Sequence, residues 1–351
     1  ISPYSATRLE RFAACAFAHF LQYGMKLTER VEYEFKAMDM GNVMHEALES
    51  FAEEVRKRGL KWTELTEQER NQIADQCLDN IVADYGNTVL KSSARNEYMI
   101  ERTRRILRRT VWALQKQLEQ GEFQPEGFEV TFGGGRIDRV DIMENQNKVY
   151  VKVIDYKTGN TSFDLVYLYH GLQLQLMIYL DGALRVEQKK YPDKEIIPAG
   201  VFYYNIKDPM IQEKIDADVE AVSAGLMKEL KMNGLVQADA ELVRRIDNSL
   251  GSIPVAFNKD GSFRKNSSVA DKTQFTVLGR YVRTKIEKIR SSILEGDAQV
   301  SPYELGKKNA CTYCPYITVC GFDRKLSGYD FRRLKYFSDE ELWKAFDREA
   351  E

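Results

Sequence analysis

The chain has 351 residues, with 51 lysines and arginines against 53 aspartates and glutamates and a formal net charge of −2. That balance excludes a global basic field for a polyanion, so any contact with nucleic acid must be local. No apolar run reaches the ~18 residues of a membrane span and no signal peptide is evident, so the expectation is a cytoplasmic protein with no membrane partner. The chain opens on Ile-Ser-Pro, which reads as an excised segment, and its length suits one core domain enlarged by insertions.

In chain order, residues 1–58 predict two helices, the first carrying Cys15 and the second His45. From Val43 the apolar residues Met44, Ala47, Leu48, Phe51 and Val55 recur at helical spacing, with His45 beside that stripe rather than on it. Residues 62–121 read as a wholly helical, charged insertion packed beside the core, with Cys77 a buried thiol on its apolar face. Residues 127–206 hold two strands of a hairpin, then a helix over 172–184 with Leu172, Leu176, Tyr179 and Leu180 inward, then an apolar strand at 199–205. Together these predict a mixed sheet with a crossover helix. Residues 208–296 predict mainly helix, interrupted by a polar loop at 258–268 expected to be mobile. A cysteine loop at 300–322 and a short helical tail at 323–351 follow.

The hairpin carries the chemistry. Residues 149–156 are β-branched and aromatic and read as a strand that enters the core. On a strand, positions i and i+2 share a face, so Asp155 and Lys157 project together. A turn around Glu144–Asn147 pairs this strand with residues 136–143 and brings Asp138 close to Asp155. Two carboxylates and a lysine then converge at a sheet end, where a hard, oxygen-seeking cation can sit. A pair of charges two apart on a strand is more often a solvated ion pair. Here Asp155 ends an apolar run and Thr158-Gly159 stops the strand at once, which places the charges at a cleft mouth.

Of five cysteines, Cys311, Cys314 and Cys320 crowd a polar, proline-containing loop. That spacing suits soft-metal chelation, and the natural fourth thiolate is Cys15 near the other end of the chain. Zinc is the generic occupant of four cysteines, and a disulfide is less expected without a secretory signal. Joining residue 15 to residue 311 closes a very long loop and pins both termini over the core, with metal binding coupled to folding.

These motifs in this order resemble the PD-(D/E)XK nuclease superfamily, in particular its RecB-type branch. The carriers are Gly-Arg-Ile-Asp138-Arg-Val-Asp, Ile-Asp155-Tyr-Lys157-Thr-Gly, Gly41-Asn-Val-Met-His45 and Gln175-Leu-Met-Ile-Tyr179. Phe12-Ala-Ala-Cys15 and the cysteine triplet add a likeness to AddB-type nuclease subunits over nearly the whole chain. The resemblance implies a restriction-endonuclease-like α/β fold, with a mixed sheet flanked by helices, large helical insertions and an iron–sulfur staple joining the termini. It further implies a [4Fe–4S] cluster on Cys15, Cys311, Cys314 and Cys320. A catalytic Mg²⁺ or Mn²⁺ is implied on His45, Asp138, Asp155 and the Tyr156 carbonyl, the imidazole favouring manganese. Lys157 is then expected to orient the attacking water and offset developing charge, Gln175 to position Lys157 or the water, and Tyr179 to brace the DNA backbone or site wall.

The activity so implied is metal-dependent degradation of single-stranded DNA ends, 5′→3′, in double-strand-break repair beside an AddA-like helicase–nuclease partner. Two other readings stand beside it: a non-catalytic DNA-binding and partner-docking scaffold, and a CRISPR-associated RecB-like nuclease. Phosphate contacts are expected from one of two basic helices, with Arg102, Arg104, Arg105, Arg108 and Arg109 on the first and Arg280, Arg283, Lys285, Lys288 and Arg290 on the second. Two departures from the family pattern are the Gly133–Gly135 run, which resembles a clipped hairpin, and Ala16 where proline often follows the first cysteine.

Overall fold

The alternating segments form one six-stranded sheet in the order β1 (Gln124–Phe132), β2 (Gly135–Asn145), β3 (Lys148–Lys157), β4 (Glu195–Asn205), β5 (Asn233–Gln237) and β6 (Val269–Ala270). The structure, a computed structural model, describes residues 4–28, 37–84, 93–133, 135–211 and 218–350. Pairing is antiparallel for β1–β2, β2–β3 and β4–β5, and parallel for β3–β4 and β5–β6. The expected mixed sheet is therefore present. Its parallel pair β3–β4 requires a crossover, which residues 158–194 supply.

The helices are α1 (Ala6–Ala14), α2 (Ala16–His19), α3 (Ala37–Lys57), α4 (Glu67–Asp84), α5 (Ala94–Glu119), α6 (Leu165–Tyr169), α7 (Gln175–Lys190), α8 (Val219–Glu229), α9 (Ala240–Ile246), α10 (Lys272–Leu294), α11 (Ile317–Cys320) and α12 (Asp339–Ala350). A three-stranded sheet of β7 (Tyr303–Leu305), β8 (Lys308–Asn309) and β9 (Arg332–Arg333) frames the cysteine loop.

Strand alternation sorts the two faces of the main sheet into two cores. Val149, Val151 and Val153 of β3 pack with Leu176, Leu180, Phe275 and Leu278, beneath α7 and α10. Ile154 and Tyr156, from the same strand, pack on the other face with Leu48, Phe51, Ile73 and Leu114, beneath α3, α4 and α5. Each such side chain contributes about 1.5–3 kcal/mol when fully buried. Cys77 lies in the α3–α5 core as expected.

Several local expectations need correction. The helix expected from residue 172 begins at Gln175, because Gly171, at φ +77°, ends α6 in the left-handed region and the chain turns before restarting. The block at 208–296 holds α8, α9 and α10 as expected but also β5 and β6, which complete the sheet. Gly234 permits β5: a Cβ at that position would meet the Val201 carbonyl oxygen at 1.9 Å. The polar loop at 258–268 is a bonded turn, in which Asn258 donates from its backbone N–H and its side-chain amide to the Ser262 carbonyl and hydroxyl oxygens, and Phe257 bridges Phe263.

On the α3–α5 face lies a buried charge triad. Arg139 donates to both oxygens of Asp141 at 2.6 and 2.9 Å, and Lys152 Nζ stands 3.0 Å from the same carboxylate. Burial opposes the charge on Asp141, yet the two cations hold its pKa below the ordinary carboxylate value. The Arg139 guanidinium also lies 5.6 Å from the ring centres of Trp62 and Phe128. Removing the carboxylate would leave two buried cations facing each other. Asp141→Ala is accordingly expected to cost about 3–5 kcal/mol, read as a lower urea midpoint at unchanged slope. An unchanged midpoint would mean that the triad adds nothing to stability.

Candidate active site

Asp138 and Asp155 come together because β2 and β3 pair in register, with Arg139 opposite Ile154. Asp138 Oδ2 accepts from the Tyr156 backbone N–H at 2.7 Å, so the carboxylate takes the place of a main-chain partner where the ladder opens. Asp155 and Lys157 share the face turned to α7, and Lys157 Nζ lies 2.6 Å from Asp155 Oδ2. Gln175, the first residue of α7, ties these groups together. Its Oε1 accepts from Lys157 Nζ at 2.8 Å, and its Nε2 lies 2.9 Å from both Asp155 Oδ1 and the Tyr179 hydroxyl. Tyr203 of β4 places its ring centre 5.4 Å from the same ammonium.

His45 enters from α3, in the other core. Its Nδ1 stands 3.4 Å from Asp138 Oδ2 and 3.8 Å from Glu129 Oε1, and its ring meets Tyr156 edge-on. Burial alone would lower the imidazole pKa, but hydrogen bonding to Asp138 and Glu129, with the Asp138 and Asp155 charges, lifts it to about 10. Burial raises the pKa of Asp155 to about 7, and the Asp138 charge adds to the rise. An array in which one carboxylate resists ionising while the imidazole holds its proton is one that a divalent cation would relieve.

Among the described residues, one group of three gathers its ligand atoms within 4.8 Å of one another: His45, Glu129 and Asp138. Asp155 stands outside that group, held by Lys157 and Gln175. The sequence reading missed Glu129. It lies in β1 with φ +48°, a left-handed conformation that non-glycine residues adopt at a cost of about 1–3 kcal/mol. The Arg136 guanidinium holds its second oxygen at 2.5 Å. Its signal was available: it is the one carboxylate in Phe128-Glu129-Val130-Thr131-Phe132, the strand that leads through the glycine turn to Asp138. Gly134 of that turn lies outside the described residues.

Residues 3–321 match the family model for the PD-(D/E)XK nuclease superfamily. The chain belongs to that superfamily. This nuclease is also similar to bacterial proteins named as subunits of an ATP-dependent helicase/deoxyribonuclease. It is 43% identical to the one from Lachnoclostridium phytofermentans, 35% to that of Thermoanaerobacter sp. and 34% to that of Clostridium acetobutylicum. The alignments cover 98–99% of this chain but 32% of each relative, so the chain spans about a third of their length.

At the far end of α1 the nuclease brings Cys15 together with Cys311, Cys314 and Cys320 around a small apolar cavity lined also by Phe17, Pro302, Ile317 and Phe322. All four are free thiols. Burial and the neighbouring sulfurs push the Cys311 thiol up to about 11. The loop is built to present them: Asn309 Oδ1 accepts from the Cys311 and Thr312 N–H groups, and α11 ends on Gly321 in the left-handed region. The N-terminal side is fastened by Phe17 N donating to the Gln299 carbonyl and by Arg332 donating to that of Ala13.

The basic helices are largely neutralised. Arg104 and Arg108 pair with Asp75, Arg104 also with Asp79 and Glu101, and Arg105 with Asp208. On α10, Arg283 pairs with Asp181, Lys288 with Glu349 and Arg290 with Glu287. Most of these guanidinium and ammonium groups thus serve ion pairs within and between helices. Among the described residues, no helix is long and apolar enough to cross a membrane.

Proposed function

We propose that this domain is a metal-dependent deoxyribonuclease acting on single-stranded DNA ends, with 5′→3′ polarity, within an AddAB-type helicase–nuclease that resects double-strand breaks. The observation that carries the reading is the Lys157–Gln175–Asp155 chain set beside His45, Glu129 and Asp138. One imidazole and a group of carboxylates suit Mg²⁺ or Mn²⁺, and His45, Asp138 and Asp155, with the Tyr156 carbonyl, are the proposed ligands, Glu129 joining them. A divalent cation held there supplies positive charge against the scissile phosphate and acidifies water.

The remaining steps belong to the side chains. Lys157 orients the attacking water and places its ammonium where negative charge grows on the phosphate. Gln175 fixes that ammonium by accepting from it while donating to Asp155. Tyr179 braces Gln175 and the wall of the site.

The four cysteines are proposed to hold a [4Fe–4S] cluster that pins the termini together. Four free thiols lining one small apolar cavity are a soft donor set that suits the cluster. DNA as substrate and an AddA-like partner accord with the helicase/deoxyribonuclease names that the relatives bear, and a cytoplasmic setting goes with that work.

The decisive experiment is cleavage of end-labelled linear single-stranded DNA with Mg²⁺ or Mn²⁺, against a circular strand and an RNA of the same sequence. Metal-dependent loss of label from linear DNA, with circular DNA and RNA spared, is expected. A preference for RNA would instead favour a CRISPR-associated nuclease, and binding without cleavage a scaffold.

A further inference from the structure

Glu10 is a carboxylate without a place in the chemistry described so far. It sits on α1, five residues before Cys15, and its neighbours Leu9 and Ala13 fasten that helix into the α7–α10 core. Its Oε1 is turned to main-chain donors, with the Lys157 charge near enough to favour the ionised form. It accepts hydrogen bonds from the backbone N–H groups of Leu174 at 2.7 Å and Gln175 at 2.9 Å, which are free because α7 begins there. Leu174 provides no side-chain cap of its own. Helices are commonly capped from an adjacent residue; this one is capped from 164 positions away.

The residue so capped is the one whose side chain bridges Lys157, Asp155 and Tyr179. A glutamine that opens a helix has its Cα fixed only as well as the first turn is fixed, and the first turn here is fixed by Glu10. Burial raises the Glu10 pKa to about 7, while the two backbone donors oppose the rise. The carboxylate is thus kept in a desolvated place by its acceptor role, with the Lys157 charge also favouring it.

We propose that Glu10 is a positioning residue for the nuclease: by capping α7 it sets where Gln175 holds the Lys157 ammonium, and so links the Cys15 end of α1 to the reacting end of the sheet. The assignment of Lys157 as the reacting amine rests on the function proposed above.

Two variants and two readouts test this. Glu10→Ala removes the acceptor; Glu10→Gln keeps an oxygen able to receive both N–H groups. Under saturating metal, Glu10→Ala is expected to lower kcat about 100-fold, the scale of a misplacement near 1 Å, with KM for single-stranded DNA changed less than about twofold. Glu10→Gln is expected to recover most of that loss. The melting temperature and visible absorbance of the cysteine site should match wild type in both.

The second readout needs no cleavage. Amine-reactive footprinting by mass spectrometry should show Lys157 labelled several-fold faster in Glu10→Ala, with Glu10→Gln and all distant lysines at wild-type rates. Unchanged Lys157 labelling in Glu10→Ala overturns the proposal whether or not the domain cuts DNA. A wild-type protein without nuclease activity, but with the Lys157 labelling change intact, overturns the functional reading and leaves Glu10 as the cap that places Lys157. Equal losses of kcat and folded fraction in both variants would reduce Glu10 to a structural residue.

Discussion

Lys157→Ala is expected to lower cleavage of single-stranded DNA by about 10²–10³-fold, the usual effect of removing one preorganised group from developing charge. Its binding of Mn²⁺, followed by calorimetry, should stay close to wild type, because His45, Glu129 and Asp138 form their group without it. Asp155→Ala should differ in kind, losing cleavage and weakening the cation together. Asp155 also receives the Gln175 amide and faces the lysine at 2.6 Å, so its removal frees both neighbours. Lys157→Arg is not expected to rescue, since a planar guanidinium cannot occupy the point between Gln175 Oε1 and Asp155 Oδ2. Wild-type turnover in Lys157→Ala would sink the assignment of roles.

The second large effect concerns stability. Cys15→Ser is expected to lose about 5 kcal/mol or more of folding free energy, the scale of cross-linking a loop of some three hundred residues. Since Cys15 begins α2 and ends α1, the loss should spread through both helices. Protease cleavage near residues 16–28 and 299–322 should then appear together. Iron and sulfide analysis of anaerobically prepared protein should give both elements for wild type and neither for the variant. A variant that melts with wild type would mean that α1 is held by Leu9, Ala13 and their core neighbours alone.

The hairpin was legible because alternation is a strong local signal: Val149, Val151 and Val153 fix the face on which Asp155 and Lys157 must emerge. The order of His45, Asp138, Asp155, Lys157 and Gln175 came instead from the likeness to the nuclease superfamily, since no local pattern singles out His45 or Gln175. Glu10 was not, because its partners are backbone groups, which leave no mark in a side-chain pattern. β5 and β6 were hidden by their brevity and by Gly234, which reads as a strand breaker until the neighbouring Val201 carbonyl is seen. Glu129 lay between: its place as the one carboxylate of that strand was readable, its left-handed backbone was not. Three of the α5 arginines, Arg104, Arg105 and Arg108, read as free basicity for a simpler reason. Their acidic partners Asp75, Asp79 and Asp208 lie on other segments, so a sequence window shows the positive charges and omits what neutralises them.

The division of the sheet into two cores sets a schedule for the growing polypeptide. His45 is delivered by the α3–α5 layer, whereas Gln175 and Glu10 belong to the α7–α10 layer. Along the chain α1 and α3 come before the hairpin, the hairpin before α7, and the sulfur triplet after them all. At each earlier stage the emerging chain holds imidazole and carboxylates without a fixed lysine, because α7 has not yet brought Gln175 to Lys157. The cutting centre is therefore latent through synthesis and matures only when both layers have closed on the same sheet.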